Sequence, residues 1–417
     1  MSIAYHETAL PILRKADVAV VGGSLAGIAA AVRLAEGELS VVLIEPRTYL
    51  GREITATLRP WLTMGERTAP ASLPEPIRAI LADYDYVTFE SADEIPLRPD
   101  TVKLSLEDVL FRADVGLLYA SLPVGLCQAD DGRTGLIIGN KSGRQVVHCR
   151  TIIDATETAL IARLAGGTFE PPAAGSTRFA RTLEFDRVEP LEQTALPVPE
   201  WLQIAGNRAI LHRGYRGPSH ILIEIELDLP YTPDLGGAGY VEWEARRRSM
   251  SLAGWLVSEH PEFASGRFAG SSHELHGRWT PSLTGPAPGW SAATGGMVDA
   301  TNGDGHRHLL PLERFAGPAP NLWCLNESSR LDTGQTAMFL DPVRASWLGE
   351  SFATTLLETW QEREDDSLPN ASTGRTDAGD VNTAIEVREP ASPQRGCVLQ
   401  RQTAPATTIP VHRTADV

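Results

Sequence analysis

The sequence predicts an α/β chain: a first lobe on a parallel sheet, then a second, α+β lobe on an antiparallel sheet. Three observations carry this. A short apolar run, Asp17 to Val21, enters a Gly-rich turn and is followed by an Ala- and Leu-rich stretch and a second apolar run, Ser40 to Glu45. Residues 166 to 300 change texture, with alternating runs such as His220 to Leu227 set among Gly, Pro and Trp. The segments Leu309 to Leu325 and Asp341 to Leu357 then return to the pattern of the first lobe.

Composition bounds the function. The chain has 417 residues, 42% hydrophobic and 22% charged, enough for a large core. Its net charge of −16 argues against nucleic acid and against anionic membrane surfaces as partners. Cys127, Cys149, Cys324 and Cys397 form no CxxC and no zinc spacing, so no metal site is expected and the thiols read as buried or incidental in a reducing compartment. MSIAYHETAL lacks a basic-plus-apolar leader, and the uncharged run from Val18 to Val32 is too short to span a bilayer. A cytoplasmic protein is expected.

In chain order, Asp17 to Val21 reads as a buried strand, Ala26 to Ala35 as a helix by propensity, and Ser40 to Glu45 as a strand parallel to the first. Glu107 to Leu110 reads as helix and Gly116 to Tyr119 as strand. Gly135 to Gly139 and Arg144 to Cys149 flank the turn Asn140-Lys141-Ser142-Gly143 as a hairpin. Thr151 to Thr156 is a further buried strand, and Thr158 to Leu164 is helical. Long helices are expected over Tyr240 to Ser258 and Val343 to Thr359, with Pro342 in the first turn of the latter. These elements group as a first lobe over 1–165, a second over 166–300, a return to the first over 301–360, and a tail over 361–417, where apolar periodicity vanishes.

The turn Gly22-Gly23-Ser24-Leu25-Ala26-Gly27 sits where a dinucleotide fingerprint belongs. Gly22 makes the tight turn off the strand, and Gly27 lets the helix pack on the sheet. The N–H groups between them face a pyrophosphate at the helix N-terminus. Ser24 replaces the usual second glycine; it is small, and its hydroxyl offers a donor. Glu45 closes the second strand 23 residues past Gly22, where a carboxylate accepts hydrogen bonds from a ribose. The fingerprint does not choose between NAD and FAD.

The stretch DVAVVGGSLAGIAAAVRLAEGELSVVLIEPRTYLGRE resembles the opening of the bacterial FAD-dependent oxidoreductases of the two-dinucleotide-binding-domain type, in their VVGGSxGGxAAA variant. TIIDATETALIARLAG and HRHLLPLERFAGPAPNLWCLNESS are similar to later blocks of that family, and Gly334-Gln335-Thr336 with Leu340-Asp341-Pro342-Val343 to its closing element. The match is good over 14–56 and 140–166, fair over 300–357 and weak in the second lobe. The resemblance implies a Rossmann-like FAD-binding lobe, a substrate lobe, and FAD as cofactor. It implies cofactor contacts from Gly22, Gly23, Ser24, Leu25, Ala26, Gly27, Glu45, Pro46, Arg47, Gly51, Arg52, Glu53, Val124, Ala155, Thr156, Asp341 and Val343. The sequence departs from the family at Arg52, where Tyr-Leu-Gly-Gly has become Tyr49-Leu50-Gly51-Arg52, and at Glu157, which ends Asp154-Ala155-Thr156-Glu157 in place of glycine.

The resemblance implies oxidation of a small or medium organic substrate by hydride transfer to flavin N5. Arg52, Arg344 and the helix start at Pro342 are candidate positive ends for the flavin's pyrimidine edge, with a surface ion pair the plainer reading of Arg52. His306 and His308 are candidate bases. His212, Arg213, Tyr215, Arg216 and His220 form a polar cluster, read chiefly as a solvated loop. Arg246-Arg247-Arg248 reads as a solvated helix face, and Trp243, Trp255, Trp279 and Trp290 as core by default. Because Ser24, Arg52 and Glu157 each stand where glycine allows close approach, the rival reading is a non-catalytic subunit that assembles with a related chain. One more feature favours assembly. Ile409 to Val417 matches Leu10 to Val18 at Pro, Arg, Ala, Asp and Val, as if the lead-in to the first strand began again. The expectation is a tandem or split protein with a second FAD-type unit, or a homo- or hetero-oligomer.

Overall fold

The structure is a computed structural model that describes residues 10–63, 73–82, 94–128, 134–170, 175–231, 237–285, 296–300, 308–367 and 384–385. The elements of the first lobe are β1 (Leu10–Val21), α1 (Leu25–Glu36), β2 (Val41–Ile44), α2 (Glu75–Leu81), α3 (Pro99–Arg112), β3 (Gly116–Leu118), β4 (Leu122–Gln128), β5 (Thr134–Asn140) and β6 (Gly143–Asp154). The second lobe contributes β7 (Thr177–Asp186), β8 (Arg208–Arg213), β9 (Ile221–Leu229) and α4 (Gly237–Glu259). The chain then returns through β10 (Leu322–Cys324) and α5 (Pro342–Ser367).

The first sheet runs β3–β2–β1–β6–β5–β4, with β10 beside β6. β1 lies parallel to β2 and to β6, and β10 lies parallel to β6. The register brings Val21 opposite both Ile44 and Asp154, and Asp154 opposite Cys324. The carboxyl ends of four strands thus finish in one row, the place where open α/β sheets bind ligands. Val18 to Val21 are fully buried, as a strand covered on both faces requires.

Two elements are longer than their sequence patterns suggest. β1 begins at Leu10, because its more exposed first half pairs with the hairpin strand β6 from Ile12 onward. The residues Leu10 to Val18 are therefore strand and not a lead-in; their C-terminal echo lies outside the described residues. The runs Arg144 to Cys149 and Thr151 to Thr156 form one strand, β6, whose outer edge changes partner midway. Residues 143–149 pair antiparallel with β5, and 152–154 pair parallel with β10. The hairpin turn at 140–143 is where the sequence places it.

α1 and α5 cover one face of this sheet in a single core that includes Leu25, Ile28, Leu348, Phe352 and Leu356. They cross in backbone contact: a Cβ on Gly349 would lie 2.1 Å from the Ala26 carbonyl oxygen. The second lobe is a six-stranded antiparallel sheet around β8, β9 and β7. Phe179, Leu183, Phe185, Ile223, Ile225 and Leu227 form one core with Val241, Ala245, Leu252 and Leu256 of α4. Of the tryptophans expected in the core, Trp279 is buried and Trp255 packs against the core, Trp243 stands on the exposed face of α4, and Trp290 lies outside the described residues. Arg246 and Arg247 are exposed, as a solvated face requires, although Arg247 also bonds the buried Glu244; Arg248 departs from that face, bonding Glu244 and reaching the Gln203 carbonyl.

Candidate functional site

The row of strand ends forms a narrow cavity with about 20 Å³ of free space. It is lined by Gly22, Gly23, Ser24, Glu45, Arg47, Arg52, Glu53, Ala155, Glu157, Asn326, Glu327 and Phe339. Gly22 has φ +104°, and a Cβ there would lie 2.5 Å from the Ala155 carbonyl oxygen, so no other residue makes this turn against β6 without strain. Ser24 is the N-cap of α1. Its hydroxyl accepts the Gly27 N–H at 3.1 Å, so its first duty is to the helix.

Glu45 stays beside the turn, as the fingerprint requires. Its Oε2 accepts the Gly23 N–H at 2.6 Å, and its Oε1 accepts the Arg47 N–H at 2.8 Å and Arg47 Nη1 at 3.0 Å. Burial pushes this carboxyl up, against the pull of Arg47. Glu53 enters from the segment after the turn. The Leu25 N–H at the start of α1 points between its two oxygens, at 3.2 and 3.4 Å. Buried there, the Glu53 carboxyl is pushed up to about 7, and burial does the same to Glu327.

Glu157 takes the opposite sign. Burial raises its pKa, but Arg52 and Arg47 outweigh that and draw it down to about 2. Arg47 Nη2 donates to Glu157 at 2.6 Å, and its Nε donates to Glu274 of the second lobe at 2.6 Å. Arg52 donates from Nε to Glu274 and from Nη2 to the Leu275 carbonyl, each at 2.8 Å. Arg52 is 7% exposed, so it is neither a surface ion pair nor an uncommitted cation; it ties the two lobes together. Around it the lobes also meet through Arg59, bonded to Glu224 and His276, and through Trp61, stacked on His212 at 3.8 Å.

Several residues expected at the cofactor do not line this cavity. Val124 is on the edge strand β4, exposed at an irregularity between Pro123 and Gly125, remote from the strand ends. Asp341 spends its side chain on the first turn of α5, accepting the Arg344 N–H at 2.8 Å, with Pro342 next in sequence as expected. Val343 packs on the core. Gln335 closes a capping box with Asp332. Thr156 bonds Asp154, which also caps the one-turn helix Leu160–Leu164 through the Ile161 and Ala162 N–H groups. Leu25, Ala26, Gly27, Pro46 and Gly51 shape the turn and its neighbour loop without lining the cavity; the Gly51 N–H donates to the Gly23 carbonyl at 2.8 Å. His308 is exposed and does not line the cavity; its carbonyl accepts the Ala300 N–H. His306 lies outside the described residues. In the polar cluster of the second lobe, Glu184 accepts from Tyr215, Arg216 and His220. That cluster is a pinned loop.

A family model described as FAD dependent oxidoreductase matches residues 17–279. The chain belongs to that family. FAD is the cofactor of this oxidoreductase, and its fold is similar to that of a solved structure. A geranylgeranyl bacteriochlorophyll reductase-like protein from Thermoplasma acidophilum is 14% identical, with 84% of this chain and 80% of that one aligned at a TM-score of 0.53. A p-nitrophenol 4-monooxygenase from Pseudomonas putida aligns over 85% of this chain and 82% of its own, at 14% identity and a TM-score of 0.44. No curated protein sequence matches the chain. Among the described residues no helix is long and apolar enough to cross a membrane, and no group of His, Cys, Asp and Glu is arranged to hold a metal.

The oxidoreductase fits its cofactor unevenly. The frame is right: strand, tight turn, capped helix, and an acid at the next strand's end beside Gly23. At the pyrophosphate end the chain supplies anions of its own. The Leu25 N–H is engaged by Glu53, and Glu157 is held over the same cavity by Arg47. Asn326 and Glu327 lie in the block His306 to Ser329 that resembles the family, but nothing in it singles them out; Glu274, bonded to Arg47 and Arg52, and Phe339 each arrive from more than 200 residues past the turn with no motif of their own.

Proposed function

We propose that this oxidoreductase oxidises a small or medium organic molecule, acting in the cytoplasm alone or with a related chain. The observation that carries the reading is the β1–α1–β2 unit with Glu45 seated beside Gly23, inside the segment that the family model matches. Bound FAD supplies the hydride acceptor, its N5. The chain supplies the rest. Gly22 and the N-cap Ser24 set the turn that receives a nucleotide, and Glu45 is placed for ribose hydroxyls once Arg47 releases it. Glu327 and Glu53, lining the cavity with pKa values about 7, are the side chains tuned to accept or release a proton near neutrality. The half-buried Arg47 and the buried Arg52 hold positive charge against them. The second lobe, whose Glu274 bonds the cavity-lining Arg47 and Arg52, is where substrate specificity resides.

The test is spectroscopic. Purified protein reconstituted with FAD should keep a flavin absorbance band through gel filtration, and one member of an alcohol, amine and hydroxy-acid panel should bleach it without oxygen. Bleaching by no member would remove the hydride-transfer reading. A protein that stays colourless would favour the rival, an assembling subunit without redox chemistry.

A further inference from the structure

We propose that Glu53 is an internal anion that occupies the pyrophosphate cradle of this oxidoreductase, and that cofactor loading is a displacement of Glu53 and of the Glu157–Arg47 pair. The proposal deepens the FAD reading above and rests on it. A helix N-terminus presents partial positive charge and unpaired N–H groups, and it takes one anion at a time. At α1 the described hydrogen bonds already engage Gly23 through Glu45, Leu25 through Glu53, and Gly27 through Ser24. Glu53 is 6% exposed, so this is a built contact and not a surface side chain resting on a helix. Across the cavity, Arg47 holds Glu157 at 2.6 Å and Glu45 at 3.0 Å, closing the space a diphosphate would cross. The free space that remains, about 20 Å³, is far below the roughly 300–1,000 Å³ of drug-sized ligand pockets, and a dinucleotide is larger than such ligands.

Charge argues the same way. Facing Glu53 are Arg52 from its own segment, Glu157 from the loop after β6 and Glu327 from the loop after β10, with Glu45 and Arg47 lining the cavity from the end of β2. A diphosphate entering beside ionised Glu53 and Glu157 would meet like charge in a buried site. Protonation of Glu53, whose carboxyl is raised to about 7 first by burial, removes the competing anion. The apparent affinity of a ligand scales with the fraction of competent sites, so it should climb as the pH falls through 7.

ADP-ribose is the probe, because its pyrophosphate does not titrate between pH 6 and 8.5 and it carries no flavin. Calorimetric titration of the full chain should show wild-type affinity rising about tenfold or more from pH 8.5 to pH 6. E53Q, which keeps a carbonyl oxygen for the Leu25 N–H, should bind about tenfold tighter than wild type at pH 8.5 and show a shallower pH dependence, the remainder belonging to Glu327. E157Q should also bind tighter at pH 8.5, because Arg47 is freed for phosphate; circular dichroism checks that both variants are folded. Equal affinity of wild type and E53Q at pH 8.5, or an unchanged pH slope in E53Q, overturns the proposal. The same proteins are then offered FAD. Equal FAD uptake by wild type and E53Q overturns the proposal and leaves the function standing. A variant that gains ADP-ribose but takes up no FAD leaves the displacement standing and overturns the function.

Discussion

At the scale of single residues, Arg47 decides how charge is shared in the cavity. It serves Glu45, Glu157 and Glu274 at once, two from the first lobe and one from the second. Removing one partner of a buried ion pair leaves the others uncompensated, which is worse than never having had the pair. Arg47, Glu157 and Glu274 are half-buried and only Glu45 is fully so, which sets the cost between a surface pair and a buried one: Arg47→Ala should destabilise the chain by about 1–3 kcal/mol, read as a fall in the urea midpoint at unchanged slope. A loss within about 0.5 kcal/mol would mean the network is no stronger than a surface pair. How residues of this site can be read from sequence follows from the range of the forces. Gly22, Ser24 and Glu45 are legible because a turn, a cap and a strand end are local, and local geometry restricts residue type. Glu53 was noted by its place in the family block, but its bond to Leu25 was not foreseeable, and Glu274 joins from more than 200 residues away. His308 was attractive by type alone, and its exposure removes the reason to choose it.

At the scale of elements, α1 and α5 begin with the same device, a side chain accepting an N–H of the first turn, at Ser24 and at Asp341. The expectation that Asp341 touches the cofactor and the finding that it caps α5 are separable by experiment. Asp341→Ala should lower stability by about 1 kcal/mol and leave ADP-ribose affinity unchanged. Ser24→Ala should lower stability by a similar amount and change that affinity as well, since Ser24 lines the cavity. A drop in affinity with Asp341→Ala would return that residue to the cofactor site. Apolar runs and turns marked most elements in the sequence, yet their ends and continuity were missed where pairing partners decide them. β1 extends to Leu10 and β6 runs unbroken past Cys149 because neighbouring strands continue, not because their own residues demand it. The short pair Trp61–Thr63 and Glu94–Pro96, with α2 between them, left no periodic pattern long enough to detect.

At the scale of the whole molecule, the cavity turns pH into stability. Glu53 and Glu327 rise from 4.5 to about 7 in the folded chain, and Asp154 rises from 3.8 to about 6, in each case first through burial. A group whose folded pKa is raised binds its proton more tightly when folded. Its stabilisation is complete below the unfolded value and disappears as pH climbs through the folded one. Glu157 has the reverse sign, but its window lies between about 2 and 4.5, so above pH 5 it contributes a constant. The cofactor-free chain should therefore weaken between pH 5 and pH 8.5, by an amount on the order of 2–3 kcal/mol per raised group. Thermal melts should show wild type several degrees more stable at pH 5.5 than at pH 8.5. The E53Q/E327Q double variant should lose most of that difference, because amides keep the shape of the cavity and have no proton to release. If the double variant declined as steeply as wild type, the pH response would originate outside the cavity, and the carboxyls at the strand ends would be ionised at no cost to the fold.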